Sequence, residues 1–308
     1  MIGFAKLAKP SNSLQQVYYR RSTSISPSHR SMITLTIVRH GESTDNLKPL
    51  WAGWSDAPLS VHGMNQAKAL GESFKSTRVD AIYASDLLRA LWTAQQIERN
   101  QAQRPPFTTS SLLREQNFGI AEHKPFGKEY TRGPGRSFKF EDGESLNDVR
   151  ARANEAFSQF IERHLQECRR RPPTTRHIVV VAHGIFNAEF IGGLLARRGA
   201  QGLDWGYKGM TNTGWTRLEL GYEDEMTNPH DADLKTNPDP AVTPSSRPAE
   251  PPEVDENQVQ LPRLNVRIIS TDVTKHLDGI HRQKGGIGSQ GFDSSQKDLR
   301  AFFSGGSK

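Results

Sequence analysis

A chain of 308 residues with 34% hydrophobic residues and a formal net charge of +6 has material for one large domain with tails or two small ones, built around a soluble globular core. No apolar run approaches the length of a bilayer span, so the sequence contains no transmembrane segment. Its single cysteine, Cys168, excludes an internal disulfide and a multi-cysteine metal site, and suits a reducing compartment.

The basic charge is uneven. Residues 1–31 form a basic, Ser-rich N-terminal extension that carries Lys6, Lys9, Arg20, Arg21 and Arg30 without an acidic residue. It reads either as a plain extension of a cytoplasmic protein or as a mitochondrial transit peptide, although it lacks a clear apolar stripe. A second basic block, "CRRRPP" at 168–173, lies between a helix-like segment and a strand. A solvated surface accounts for it, and with no aromatic interleaving or recognition-helix signature nucleic acid is not an expected partner.

The first predicted strand is "ITLTIV", Ile33 to Val38, whose β-branched residues suit a central sheet position. Ser60 is placed to cap a helix bearing Met64, Ala67, Leu70 and Phe74 at helical spacing. "VDAIYASD" then gives a short strand ending near Ser85, followed by a helix over "LLRALWTAQQIERN". From about Asn147 to Arg169, Val149, Ala153, Ala156, Phe160 and Leu165 share one helical face. "HIVVVAHG" reads as a buried strand, "FNAEFIGGLLARRG" as a helix and "TGWTRLELGY" as a further strand. This alternation predicts an α/β sheet covered on both faces, with chemistry at the carboxyl ends of its strands. Residues 232–262, rich in proline and small or acidic residues, read as a linker. Residues 263–308 form a C-terminal extension with an added strand over Leu264–Ile269.

Two places in that scheme share one local frame. Val38-Arg39-His40-Gly41 and Val181-Ala182-His183-Gly184 each follow a branched apolar run, so each histidine emerges at a strand terminus beside a glycine that permits a close turn. His40 and His183 are thereby expected to meet across one crevice. From residue types alone they could equally be polar caps of the sheet, or zinc ligands together with Glu115. Arg39, adjacent to His40, favours an anion over a cation.

Four stretches in order, "VRHGESTDN" (38–46), "SDLLRALWTA" (85–94), "LREQNFG" (113–119) and "VVVAHG" (179–184), resemble the motifs of the histidine phosphatase superfamily, in its phosphoglycerate-mutase-like branch. The resemblance implies a domain over residues 32–231 and a three-layer α/β/α sandwich with a mostly parallel central sheet. It implies that His40 is the nucleophile that takes a phosphoryl group, that Arg39, Arg89 and His183 surround the phosphoryl oxygens, that Asn46 adds a polar contact, and that Glu115 gives the leaving group its proton. No metal or other cofactor is implied, and the partner is a phosphorylated small molecule. The chemistry is coherent. A neutral imidazole attacks phosphorus when its other nitrogen is held by an acceptor, and two guanidinium groups stabilise the equatorial oxygens.

Hydrolysis is the expected reaction. The cofactor-dependent mutases of this family carry a long basic insertion after the glutamate, whereas only "IAEHKPFGKEYTRGPGRSFKFED" separates Gly119 from Gly143 here. Lys124, Lys128, Arg132, Arg136 and Lys139 make that short segment basic, and its glycines and proline suggest a mobile cap. A mutase is the first alternative. The second is an interaction module on this scaffold, with the C-terminal extension docking a protein partner or a second copy. That extension resembles the tail of a fungal subgroup of these phosphatases. Gly286, Gly288 and Gly291 spell G-x-G-x-x-G there, but no strand immediately precedes them and no βαβ unit follows, so a dinucleotide site is rejected. Trp54 is expected at the entrance or packed beneath it, Trp92 on a helix face, and Asn212 near the site or capping it. Arg78 and Arg150 are not assigned to the pocket.

Overall fold

The computed structural model describes residues 32–127, 129–171, 174–197, 209–222 and 263–293. The N-terminal extension, the proline-rich linker, Lys128 and the last residues of the tail lie outside them. In chain order the elements are β1 (Met32–Arg39), α1 (Val61–Ser73), β2 (Ala81–Ser85), α2 (Leu88–Arg99), β3 (Phe107–Ser110), α3 (Leu146–Ala156), α4 (Glu162–Arg170), β4 (Thr175–Ala182), α5 (Gly184–Ala196), β5 (Trp215–Tyr222) and β6 (Leu264–Val273).

The six strands form one sheet in the order β3-β2-β4-β1-β5-β6. The first four run parallel to one another. β5 is antiparallel to β1, and β6 to β5, so the sheet is mixed. Period-two alternation sends Ile33, Leu35 and Ile37 of β1, with Ile178, Val180 and Ala182 of β4, to a core completed by Val149, Phe157, Phe186 and Phe190. Val38, Val179 and Val181 face the other way, onto Leu70, Phe74, Ala90, Ala94 and Ile97 of the α1–α2 layer. A strand buried on both faces explains the continuous β-branched runs, and each such side chain contributes roughly 1.5–3 kcal/mol. The result is an α/β/α sandwich.

Local signals set the helix starts. The Ser60 side chain accepts a hydrogen bond from Gly63 N at the head of α1, and Ser145 with Asp148 forms a reciprocal capping box on α3. The expected single helix from Asn147 to Arg169 is divided by a π-helical turn, Phe157–Ile161, between α3 and α4. The wider turn shifts the apolar stripe, so that Phe157, Phe160 and Ile161 are all buried. β3 has no apolar run of its own and is set by pairing with β2.

The added strand extends to Val273, beyond the expected Ile269, and covers the outer edge of β5. The chain then returns across α1. Val61 N donates to Gln290 O and Phe292 N to Leu59 O, while the Phe292 ring packs edge-on to Trp92 at 5.7 Å. Described residues 263–293 therefore form an arm whose strand pairs with the sheet edge and whose remainder folds onto its own domain. Among the described residues no helix is long and apolar enough to cross a membrane.

Candidate active site

The parallel register decides where the two histidines go. Arg39 of β1 lies beside Ala182 of β4, His40 N donates to Ala182 O at 3.0 Å, and each histidine is the next residue on its strand. The ring centroids of His40 and His183 are 5.0 Å apart. Both side chains are buried. Arg89 enters from the first turn of α2 after β2, and Glu115 from the loop after β3. The carboxyl ends of four parallel strands thus converge on one crevice.

The His40 ring is oriented. Its Nδ1 lies 2.6 Å from Gly41 O; since a carbonyl only accepts, Nδ1 carries the proton and Nε2 presents its lone pair. Burial first, then Arg89 and Arg39, hold the imidazole well below its ordinary titration range, against the opposing pull of the Gly41 carbonyl. His183 is depressed in the same direction by burial, Arg89, His40, Arg152 and Arg39. Among the described residues, neither ring nitrogen of His183 has a hydrogen-bond partner, nor does Arg39 Nε. Buried polar atoms without partners mark a place where a polar ligand would complete the bonding.

The arginines are fixed from behind. Arg89 Nη1 donates to Ser55 O at 2.6 Å and Nη2 to Gly53 O at 2.7 Å. Arg39 Nη1 donates to Met210 O at 2.5 Å. Burial draws the Arg89 guanidinium below its ordinary value, while Glu115, Asp56, Asp45 and Glu122 oppose that shift.

Glu115 sits at the N-terminus of α5. Its Oε1 accepts from Ile185 N at 3.1 Å and Phe186 N at 3.0 Å, and its Oε2 accepts from Ile185 N at 3.2 Å, so the first turn of α5 holds the carboxyl group in place. Among the described residues no three His, Cys, Asp or Glu side chains converge as a metal-binding group. Arg152 of α3 is the residue that the sequence reading missed. It donates to Leu112 O, Arg114 O and Glu115 O, and pairs bidentately with Glu144 at 2.9 and 2.7 Å. Its only sequence signal was a charge on an otherwise apolar helix face. Asp86 locks the same loop through Arg114, at 2.7 and 2.6 Å.

Other expected residues fall in place around this centre. Asn46 is exposed, and its Oδ1 accepts from Ser43 N at 3.0 Å. Asn212 Nδ2 donates to His40 O at 3.0 Å, which makes it a backbone cap. Trp54 Nε1 donates to Glu115 O at 2.8 Å. Arg78 pairs with Asp80 on the surface and Arg150 with Glu189 between α3 and α5, so neither reaches the crevice. The segment expected as a mobile cap is docked. Trp51 packs against Phe118, Phe126 and Phe140 and donates from Nε1 to Tyr130 O at 3.0 Å, giving this polar stretch an aromatic anchor.

The family described as "Histidine phosphatase superfamily (branch 1)" matches residues 35–228. The 2,3-bisphosphoglycerate-dependent phosphoglycerate mutase of Chlamydia trachomatis serovar L2 is 32% identical over 187 residues, spanning 50% of this chain and 80% of that protein. Among solved structures, a mycobacterial glucosyl-3-phosphoglycerate phosphatase is similar with a TM-score of 0.52 at 26% identity, covering 62% of this chain and 92% of the other. A structure titled "Mycobacterial hydrolase 2" gives 0.53 at 27% identity, covering 62% and 83%.

The fold and the facing histidines define an enzyme of the histidine-phosphatase type. The chain belongs to the histidine phosphatase superfamily, in its phosphoglycerate-mutase-like branch.

Proposed function

We propose that the protein hydrolyses phosphomonoesters of acidic small metabolites through a phosphohistidine on His40. The observation that carries this reading is the oriented, neutral His40 ring facing His183 between two anchored arginines. In the first step the Nε2 lone pair forms a bond to phosphorus while the phosphorus–oxygen bond to the alcohol breaks. Glu115 gives its proton to the departing oxygen. In the second step water attacks phosphorus, the nitrogen–phosphorus bond breaks, and Glu115 takes a proton from the water. Arg39, Arg89 and His183 bear the charge on the three equatorial oxygens throughout.

A second reading, phosphoglycerate mutase, is favoured by bacterial relatives such as that of Chlamydia trachomatis, whose 32% identity exceeds that of the hydrolase structures. A mutase must hold a substrate carboxylate or second phosphate with free cations. The basic segment that would do so is short here, and its Arg136 is bound to Glu189 at 2.6 Å.

One experiment separates the readings. Wild-type and His40→Ala protein are run on a panel of phosphomonoesters, with 3-phosphoglycerate plus 2,3-bisphosphoglycerate as a separate arm. Phosphate release by wild type and none by the variant is the expected result. Conversion of 3-phosphoglycerate to 2-phosphoglycerate faster than any phosphate release would establish the mutase instead, and undiminished turnover by His40→Ala would reject both.

A further inference from the structure

The arm formed by residues 263–293 lies wholly beyond the part of the chain that matches the family, which ends at residue 228. It grips the His40 segment from both sides. We propose that Asp272 and Arg282 are positioning residues for the nucleophile, acting through the backbone on either side of His40; this rests on the assignment of His40 as the reacting group.

On one side the intermediary is the loop before β5. Asp272 Oδ1 accepts from Thr211 N at 2.9 Å and Oδ2 from Thr211 Oγ1 at 2.9 Å. That loop is wired to the end of β1. Thr213 N donates to Arg39 O at 3.0 Å and His40 O at 3.2 Å, and Arg39 N donates to Gly214 O at 3.1 Å. Thr213 has φ +60°, a backbone conformation that a non-glycine residue holds only where its surroundings impose it. Asp272 approaches so closely that a Cβ on Gly214 would lie 2.1 Å from its Oδ1. Glycine is required there.

On the other side the intermediary is Glu42, two residues beyond the nucleophile. Arg282 donates from Nη1 to Glu42 Oε1 at 2.8 Å and from Nη2 to Oε2. Glu42 also accepts from Ser60 Oγ at 2.7 Å, and its own N–H donates to Gln66 Oε1 at 3.0 Å. Glu42 is nearly buried, and Arg282 supplies its full counter-charge there. Gly41 O, the acceptor that sets the His40 tautomer, lies between Glu42 and the ring. Fixing Glu42 fixes the direction of that carbonyl.

The test uses Arg282→Ala and Asp272→Ala, with Arg282→Lys and Asp272→Asn as milder forms should an alanine variant fail to fold. Arg267→Ala, which removes an exposed arm pair with Glu219, controls for general loosening of the arm. The first readout is independent of turnover: long-range nitrogen NMR of the His40 ring at neutral pH. The wild-type ring is expected as the Nδ1–H tautomer, Arg282→Ala and Asp272→Ala as tautomer mixtures, and Arg267→Ala as wild type. The second readout is p-nitrophenyl phosphate turnover, where kcat is expected to fall about 10- to 100-fold with KM within twofold, and Arg282→Lys to recover part of the loss. Ring signals unchanged in the folded Arg282 and Asp272 variants would overturn the proposal. Absence of wild-type turnover on every phosphate would reject the hydrolase reading and leave the ring signals to decide the positioning role.

Discussion

Opposing influences set the state of the His40 ring. The Gly41 carbonyl selects the tautomer, and burial with two guanidinium groups suppresses protonation. A ring titration followed by NMR is therefore expected to place His40 protonation below the ordinary imidazole value of about 6.5; a transition at or above that value would contradict the electrostatic account. Glu115→Gln retains hydrogen-bonding capacity but cannot donate a carboxylic proton to a leaving group. It is expected to lower kcat about 10²- to 10⁴-fold on alkyl phosphates and much less on p-nitrophenyl phosphate, whose leaving group needs no proton. Equal losses on both substrate types would count against its role as the acid. Arg39, His40 and His183 were legible in the sequence because each stands at a strand end beside a recognisable turn, and Arg89 through the resemblance of its motif. Arg152 was not, since it acts by donating to backbone carbonyls, and no side-chain motif records a carbonyl.

Among the elements, α3 has a supporting task besides packing. It carries Arg152 into the loop of Glu115 while its other side joins the Val149 and Phe157 core. Arg152→Met keeps the stem and removes the charge, leaving Glu144 without its partner in a mostly buried setting. A loss of about 3 kcal/mol in urea unfolding is expected, together with lower turnover as the Glu115 loop loses three of its backbone anchors. Unchanged stability would mean that solvent compensates Glu144 fully. Element existence was legible wherever apolar period and capping residue agreed, as at Ser60 and α1. It failed at β3, a four-residue strand defined by its neighbour, and at the π-turn, where helical periodicity alone does not register an inserted residue. The docked segment around Trp51 escaped for a related reason. Its aromatic partners are spread from Phe118 to Phe140 and show no period.

Across the whole molecule, two further histidines tie stability to pH. Burial above all, with nearby arginines, lowers His164 to about 4 and His177 to about 4. His164 lies against Tyr83, and His177 bridges Thr36 and the Arg78 carbonyl across the two layers. Between about 4 and the unfolded value near 6.5, the unfolded chain binds more protons than the folded one. Stability is thus full above about 6.5, falls as pH drops toward 4, and levels off below it as far as these two groups are concerned. Urea midpoints measured from pH 7 to pH 4 are expected to fall across that window, and His177→Gln to flatten the slope. A slope unaffected by that substitution would assign acid sensitivity to other groups.

The pairing of Arg282 with Glu42 spans 240 positions of sequence. A ribosome extends the chain from the N-terminus, so His40 is synthesised well before Arg282. Long-range contacts of this kind also form late in folding, because loop closure precedes any gain from them. Every intermediate that lacks the arm carries His40 on a strand end whose two flanking supports are missing. Under the proposed positioning role, the last support of the His40 segment to form is the arm, so removal of the arm by limited proteolysis is expected to lower turnover while the family-matching domain stays folded.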